Sequence, residues 1–284
     1  MLSSFLLTSR ETLEAALVVG IVMAYLNKTE RYEYKKTVYY GIAFGIIASI
    51  LAAVMFTVFA GGFSGKSEEI FEGATMLIAA ALLSTMVLWM LKQKHRMSKN
   101  IQERVHAHIR VAELNKRYAW GLFILISIAV LREGIETVIF LNAVKYESGI
   151  SLLGSTLGIA IALIAGYLFF SGTRKVNLRK FFSISSVLLI LFAAGLVAHG
   201  IHELEEAGIV PIVVEHVWDI NPAVNADGSF PLLHEKGAIG SFFVGLFGYN
   251  GNPSLVEVLS YAAYLGVVFI VYRKIEKTSS VKAA

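Results

Sequence analysis

Residues 119–141 read AWGLFILISIAVLREGIETVIFL, an apolar run that carries Arg132, Glu133 and Glu136 past its middle. The hydrocarbon core of a bilayer is roughly 30 Å thick, and a helix of about 20 residues crosses it. A lone strand there would leave backbone N–H and C=O groups unsatisfied in lipid, so the run reads as a helix. Six further runs of this kind lie near 5–26, 38–60, 71–91, 150–171, 182–201 and 254–272. The chain is therefore expected to be an all-α integral membrane protein, one membrane domain of seven transmembrane helices.

Composition agrees. Of 284 residues, 56% are apolar and 16% charged, with no cysteine and a mean hydropathy of +0.66. These values exclude a cytosolic single-core enzyme and a disordered chain. The missing cysteines exclude a disulfide scaffold and any thiolate metal site. Met1 to Leu26 lacks the basic start of a signal peptide, and Arg10, Glu11 and Glu14 interrupt its apolar run, so it reads as a retained first helix.

Lys and Arg set the orientation. Segments 27–37, 92–118, 172–181 and 273–284 hold 4, 8, 4 and 4 of the 25 basic residues, whereas the opposite side has only Lys66, Lys145 and Lys236. The N-terminus is expected outside and the C-terminus in the cytoplasm, in a multi-pass protein of the cytoplasmic (inner) membrane. The net charge of +4 thus marks a face turned to the cytoplasm and no nucleic-acid partner. In the basic segment 92–118, Ile101, Val105, Ile109 and Ala112 recur at helical spacing, as in an amphipathic helix lying on anionic lipid. The outer loop 202–253 is acidic, and within it 237–249 is apolar but too short to span, which suggests a re-entrant helix. Gly41/Gly45 and Gly154/Gly158 are small-xxx-small pairs that predict tight helix packing.

Charges inside the spans are the informative residues. Arg10-Glu11-Thr12-Leu13-Glu14 in the first and Arg132-Glu133-Gly134-Ile135-Glu136 in the fourth repeat one R-E-x-x-E pattern in helices of opposite direction. An ionisable group at mid-membrane costs at least ~2.5–3.5 kcal/mol, so six would cost on the order of 15–20 kcal/mol without mutual compensation. Residues at i and i+3 share a helix face. Glu11 with Glu14, and Glu133 with Glu136, can thus meet in a cage of four carboxylates, while Arg10 and Arg132 balance part of the charge. Such a cage suits a hard, highly charged cation. Structural readings compete: a Thr8–Glu11 capping box, or a plain Arg132–Glu136 pair.

Other polar residues are weaker signals. Ser254 and Glu257 form a capping-box pattern. Glu72, at the outer start of the third helix, reads either as a dipole-facing carboxylate or as part of an access path. His199, His202, Glu203 and Glu206 share a face at the outer end of the sixth helix and suggest a metal-gathering vestibule, although HELEE lacks the second histidine of a zinc-protease motif. Met76, Met86 and Met90 read as core packing.

These residues resemble the oxidase-dependent iron permeases of fungi and bacteria. Besides the doubled motif, the similarity rests on Glu72-Gly73, on Glu203 to Gly208, and on Gly248, Tyr249, Pro253 and Ser254. The chain is closest to the shorter prokaryotic form, since it lacks the long hydrophilic tail of fungal members. The resemblance implies that both motif glutamate pairs carry iron across the membrane. It also implies that ferric iron is delivered by an extracytoplasmic iron oxidase or peroxidase together with an iron-binding protein. Iron is then the transported substrate, and no organic cofactor is expected.

Read without the resemblance, the residues give a hard-cation cage and leave manganese, lead or a proton open. A membrane-embedded di-metal carboxylate enzyme is the rival from another class, although the Glu-x-x-His pairs usual there are missing. The opposite direction of the motif-bearing helices suggests a 3+3 inverted repeat plus one helix, and ion sites commonly lie at such repeat interfaces.

Overall fold

The computed structural model describes residues 1–93, 117–171, 178–225 and 227–281, and it is helical, with no strand among the described residues. The helices are α1 (Leu2–Lys28), α2 (Lys35–Ala60), α3 (Lys66–Gln93), α4 (Arg117–Glu147), α5 (Leu152–Phe170), α6 (Leu178–Glu206), α7 (Ala238–Phe247) and α8 (Leu255–Val281), with a 3₁₀ turn at Tyr32–Tyr34. The amphipathic helix expected within 92–118 lies outside the described residues.

Local chemistry sets several ends. Ser151 caps α5 by accepting the Gly154 N–H at 3.1 Å. α6 stops where Gly208 turns left-handed (φ 67°) and the Ile209 N–H reaches the Leu204 carbonyl at 2.9 Å. His202 to Glu206 therefore lie on the last turns of the helix itself. α8 opens with the capping box read from the sequence: Ser254 N–H donates to Glu257 Oε1 (3.0 Å), and Glu257 N–H to Ser254 Oγ (3.1 Å). The capping alternative for Thr8 and Glu11 fails, because α1 already begins at Leu2. Thr8 sits inside that helix and donates to the Ser4 and Ser155 carbonyls, at 2.8 and 3.1 Å.

Five described helical segments, including α2, α3, α5, α6 and α8, are long and apolar enough to cross a membrane. α1 and α4 match them in length, with 27 and 31 residues, but carry the charged motifs. Apolar side chains such as Ile47, Val54 and Val58 on α2 and Ile161 on α5 face outward, as lipid requires. The chain is thus an integral membrane α-helical protein.

The closest helix pairs are α1 with α5, α2 with α4 and α3 with α6, and α1 also touches α4. Glycines make the first two possible. Gly154 and Gly158 on α5 lie against Met1, Phe5 and Thr8 of α1, while Gly41 and Gly45 on α2 lie against Phe123, Ile126, Ser127 and Val130 of α4. The main apolar core joins Leu7 of α1, Met76 and Leu83 of α3, Phe140 of α4, and Phe192 and Leu196 of α6.

A Cβ at Gly158 would stand 2.6 Å from the Phe5 carbonyl oxygen, whereas one at Gly121 would meet nothing within 4 Å. We expect Gly158→Val to destabilise the protein by about 1–3 kcal/mol through overpacking. Gly121→Ala should be neutral or stabilising. Thermal unfolding in detergent reads both, and equal effects would refute the tight α1–α5 contact.

Candidate functional site

The contact between α1 and α4 brings the two charged motifs together in the interior. Glu11, Glu133 and Glu136 each place one oxygen within 4.8 Å of the others. Glu11 on α1 thus faces Glu133 on α4 across the helix pair. Yet both oxygens of Glu11 and Oε2 of Glu133 are buried without a hydrogen-bond partner. Facing carboxylates with no donor between them require a proton or a cation. Glu14 stands beside this group and turns Oε1 to Arg10 Nη2 at 3.4 Å.

The two arginines differ sharply. Arg10 is fully buried, and it lies 3.7 Å from Glu11 while its Nη1 and Nη2 donate to Met86 Sδ and Met90 Sδ at 2.8 and 3.0 Å. All three methionines read as packing are buried in the core, and two of them, Met86 and Met90, also hold a guanidinium. Arg132 keeps 57% of its side chain exposed and binds Glu136 through Nε at 2.9 Å. Both motifs thus form the i,i+4 ion pair that their spacing permits.

Beyond this cluster, toward the start of α1 and the end of α4, lies part of the apolar core. Leu7, one turn from Glu11, and Phe140, one turn from Glu136, are both fully buried in the same core.

Where the start of α3 meets the end of α6, Gly73 packs against Gly200 and the Glu203 Cβ, so Glu72 and Glu203 feel each other's charge. His202 bridges two helices: Nδ1 lies 3.1 Å from Glu257 Oε1 on α8, and Nε2 lies 3.4 Å from Glu206 Oε1. His199 turns Nδ1 to its own Gly195 carbonyl at 3.1 Å. Two carboxylates were missed in the sequence. Glu205 is 4% exposed and accepts from Ser254 Oγ at 2.7 Å. Glu147, the last residue of α4, has both oxygens buried without a partner. Neither belongs to a recurring motif, and only the packing of α6 against α8 and α4 exposes their role.

Apolar helices of membrane-crossing length around a buried group that seeks a cation are the architecture of a multi-pass membrane transporter. The comparisons with known proteins give it a family. The chain belongs to the iron permease FTR1 family, whose model matches residues 1–281. It is 31% identical over 264 residues to the ferrous iron permease EfeU of Escherichia coli O157:H7, covering 92% of this chain and 91% of that one. The ferrous iron permease EfeU of Yersinia pestis is also 31% identical, over 271 residues, covering 94% and 92%. An uncharacterized protein of Archaeoglobus fulgidus is 33% identical over 290 residues, covering 99% of both. No solved structure matches. The protein is therefore an iron permease of the inner membrane, a transporter and not an enzyme.

Removing Arg10 would leave Glu11 and Glu14 in the interior without their cation. Breaking such a pair costs about 3–5 kcal/mol, so Arg10→Ala should unfold far more easily than Arg132→Ala, whose side chain is largely exposed. Melting of the two purified variants side by side checks this, and the reverse order would contradict it.

Proposed function

We propose that this permease moves ferric iron from the outer side into the cytoplasm through Glu11, Glu14, Glu133 and Glu136, with Arg10 and Arg132 balancing their charge. The observation that carries the reading is a buried donor set made only of carboxylate oxygens, the set that a hard trivalent ion prefers. The relatives' names supply a second reading, ferrous iron as the cargo.

In this reading α1 to α6 and α8 are the seven spans, with the N-terminus outside and the C-terminus in the cytoplasm. α1–α3 and α4–α6 are inverted repeats. Support comes from a shared offset: Arg10 to Arg132 and Met1 to Phe123 are both 122 positions, while Gly41 to Gly154 and Gly45 to Gly158 are both 113. The glycines of α5 meet the same register of α1 that those of α2 meet on α4, Gly158 on Phe5 and Thr8, Gly45 on Ser127 and Val130.

Glu72, His199, His202, Glu203 and Glu206 form the vestibule that gathers the ion. An external oxidase or peroxidase and an iron-binding protein supply it in the ferric state, as the resemblance read from the motifs implies. Leu7 and Phe140 must part for it to reach the glutamates. The inside-negative potential then draws it inward by about 2.3 kcal/mol per charge per 100 mV, roughly 7 kcal/mol for a trivalent ion.

Uptake into proteoliposomes tests the proposal with ferric, ferrous and manganous ions. Wild type should take up ferric iron, and Glu133→Gln/Glu136→Gln should lose uptake while remaining folded. Uptake of ferrous iron alone would overturn the ferric assignment, and normal uptake by the variant would overturn the cage.

A further inference from the structure

The second group of donors, at the outer end, differs in kind from the inner one. His202 and Glu205 stand at i and i+3 on the last turns of α6, and Glu257 stands on the first turn of α8. One ligand atom from each lies within 4.8 Å of the others. His202 Nδ1 and Glu257 Oε1 are 3.1 Å apart. Two ligands on adjacent corners of a metal shell, each at roughly 2.1 Å from the ion, lie about 3 Å apart.

The surroundings are those of a built site. Asn250 Nδ2 donates to Glu257 Oε2 at 2.8 Å, and Ser254 holds both carboxylates, its N–H on Glu257 and its hydroxyl on Glu205 Oε2. Such outer partners fix the direction of ligating carboxylates. Glu205 is 4% exposed and its Oε1 is buried with no partner, so one oxygen of the group is left free for a cation. His202 is 42% exposed, and its Nε2 lies 3.4 Å from Glu206 Oε1. On the other side Glu257 lines a cavity of about 330 Å³ together with Trp218, Tyr249 and Tyr261. The capping box accounts for the position of Glu257, but it explains neither the free oxygen of Glu205 nor the imidazole held against Glu257.

We propose that His202, Glu205 and Glu257 form a second metal site for a divalent first-row transition ion. One imidazole with two carboxylates suits such ions, whereas the inner cluster offers oxygen alone. The site lies at the outer ends of α6 and α8, where an incoming ion first meets a fixed set of ligands. The inference extends the vestibule of the proposed function, and the following experiment separates the two.

Mn²⁺ serves as the probe, added below one equivalent to the full-length, tag-free protein in detergent. Pulsed electron paramagnetic resonance then reads the ¹⁴N coupling of a directly bound imidazole. The coupling is expected in wild type and in Glu133→Gln/Glu136→Gln, whose outer ligands are intact. It should vanish in His202→Gln, and Glu205→Gln, which can still accept from Ser254, should weaken Mn²⁺ binding at least tenfold. No Mn²⁺ binding by the inner variant, no ¹⁴N coupling in wild type, or coupling that persists in His202→Gln would overturn the site. Iron uptake that survives in the inner variant would overturn the cage and leave this result standing.

Discussion

The constraint on which the structure depends is the placing of two guanidiniums and four carboxylates among helices that must otherwise be apolar. Each group alone would oppose insertion. The two i,i+4 ion pairs meet part of this cost within their own helices. The remainder falls on the contact between α1 and α4, where Glu11 faces Glu133 and both oxygens of Glu11 lack a hydrogen-bond partner. A cation there would offset the repulsion of the carboxylates, which is why the proposed function routes the ion through this contact.

Bringing α1 and α4 together at that point depends on residues far less conspicuous than the charges. α1 is seated on α5 and α4 on α2 through glycines, whose missing Cβ atoms let neighbouring backbones approach closely. Because the glycine contacts repeat in register on both sides, each motif is carried to the interface by the same device. A larger residue at one of these positions would displace a whole helix and with it two carboxylates.

The helical class and the charged motifs were legible in the sequence because both rest on local rules. Lipid leaves helices as the form for apolar runs, and i,i+3 spacing puts each glutamate pair on one face. The glycine pairs were legible as packing, but not their partners, since a small residue names no neighbour. Met86 and Met90 are core residues as read, but their second task, holding a guanidinium 2.8 and 3.0 Å from the two sulfurs, was hidden because a thioether looks apolar. Glu205 and the link of Glu257 to His202 escaped for a related reason. Glu257 satisfies a capping rule that accounts for it completely within its own helix, and its link to His202 exists only where α6 meets α8. Local rules find residues that serve their own element and are silent about those that serve two.

The two arginines, identical in motif, have acquired different tasks from their surroundings. Arg10 has no exposed surface and is clasped by α3, so it cannot turn away from Glu11 and Glu14 unless that helix moves. Arg132 is tied to Glu136 by one hydrogen bond, lies 3.9 Å from Glu133 and keeps 57% of its side chain exposed. If a trivalent ion takes the place of positive charge among the glutamates, the proposed mechanism needs one cation to leave as another arrives. Rotating a single exposed side chain disturbs little packing, whereas freeing the buried one would open the core around Leu83 and Val87. Under that proposal the fixed charge belongs to α1 and the exchangeable one to α4, because α3 clasps Arg10 through Met86 and Met90 while Arg132 stays largely exposed.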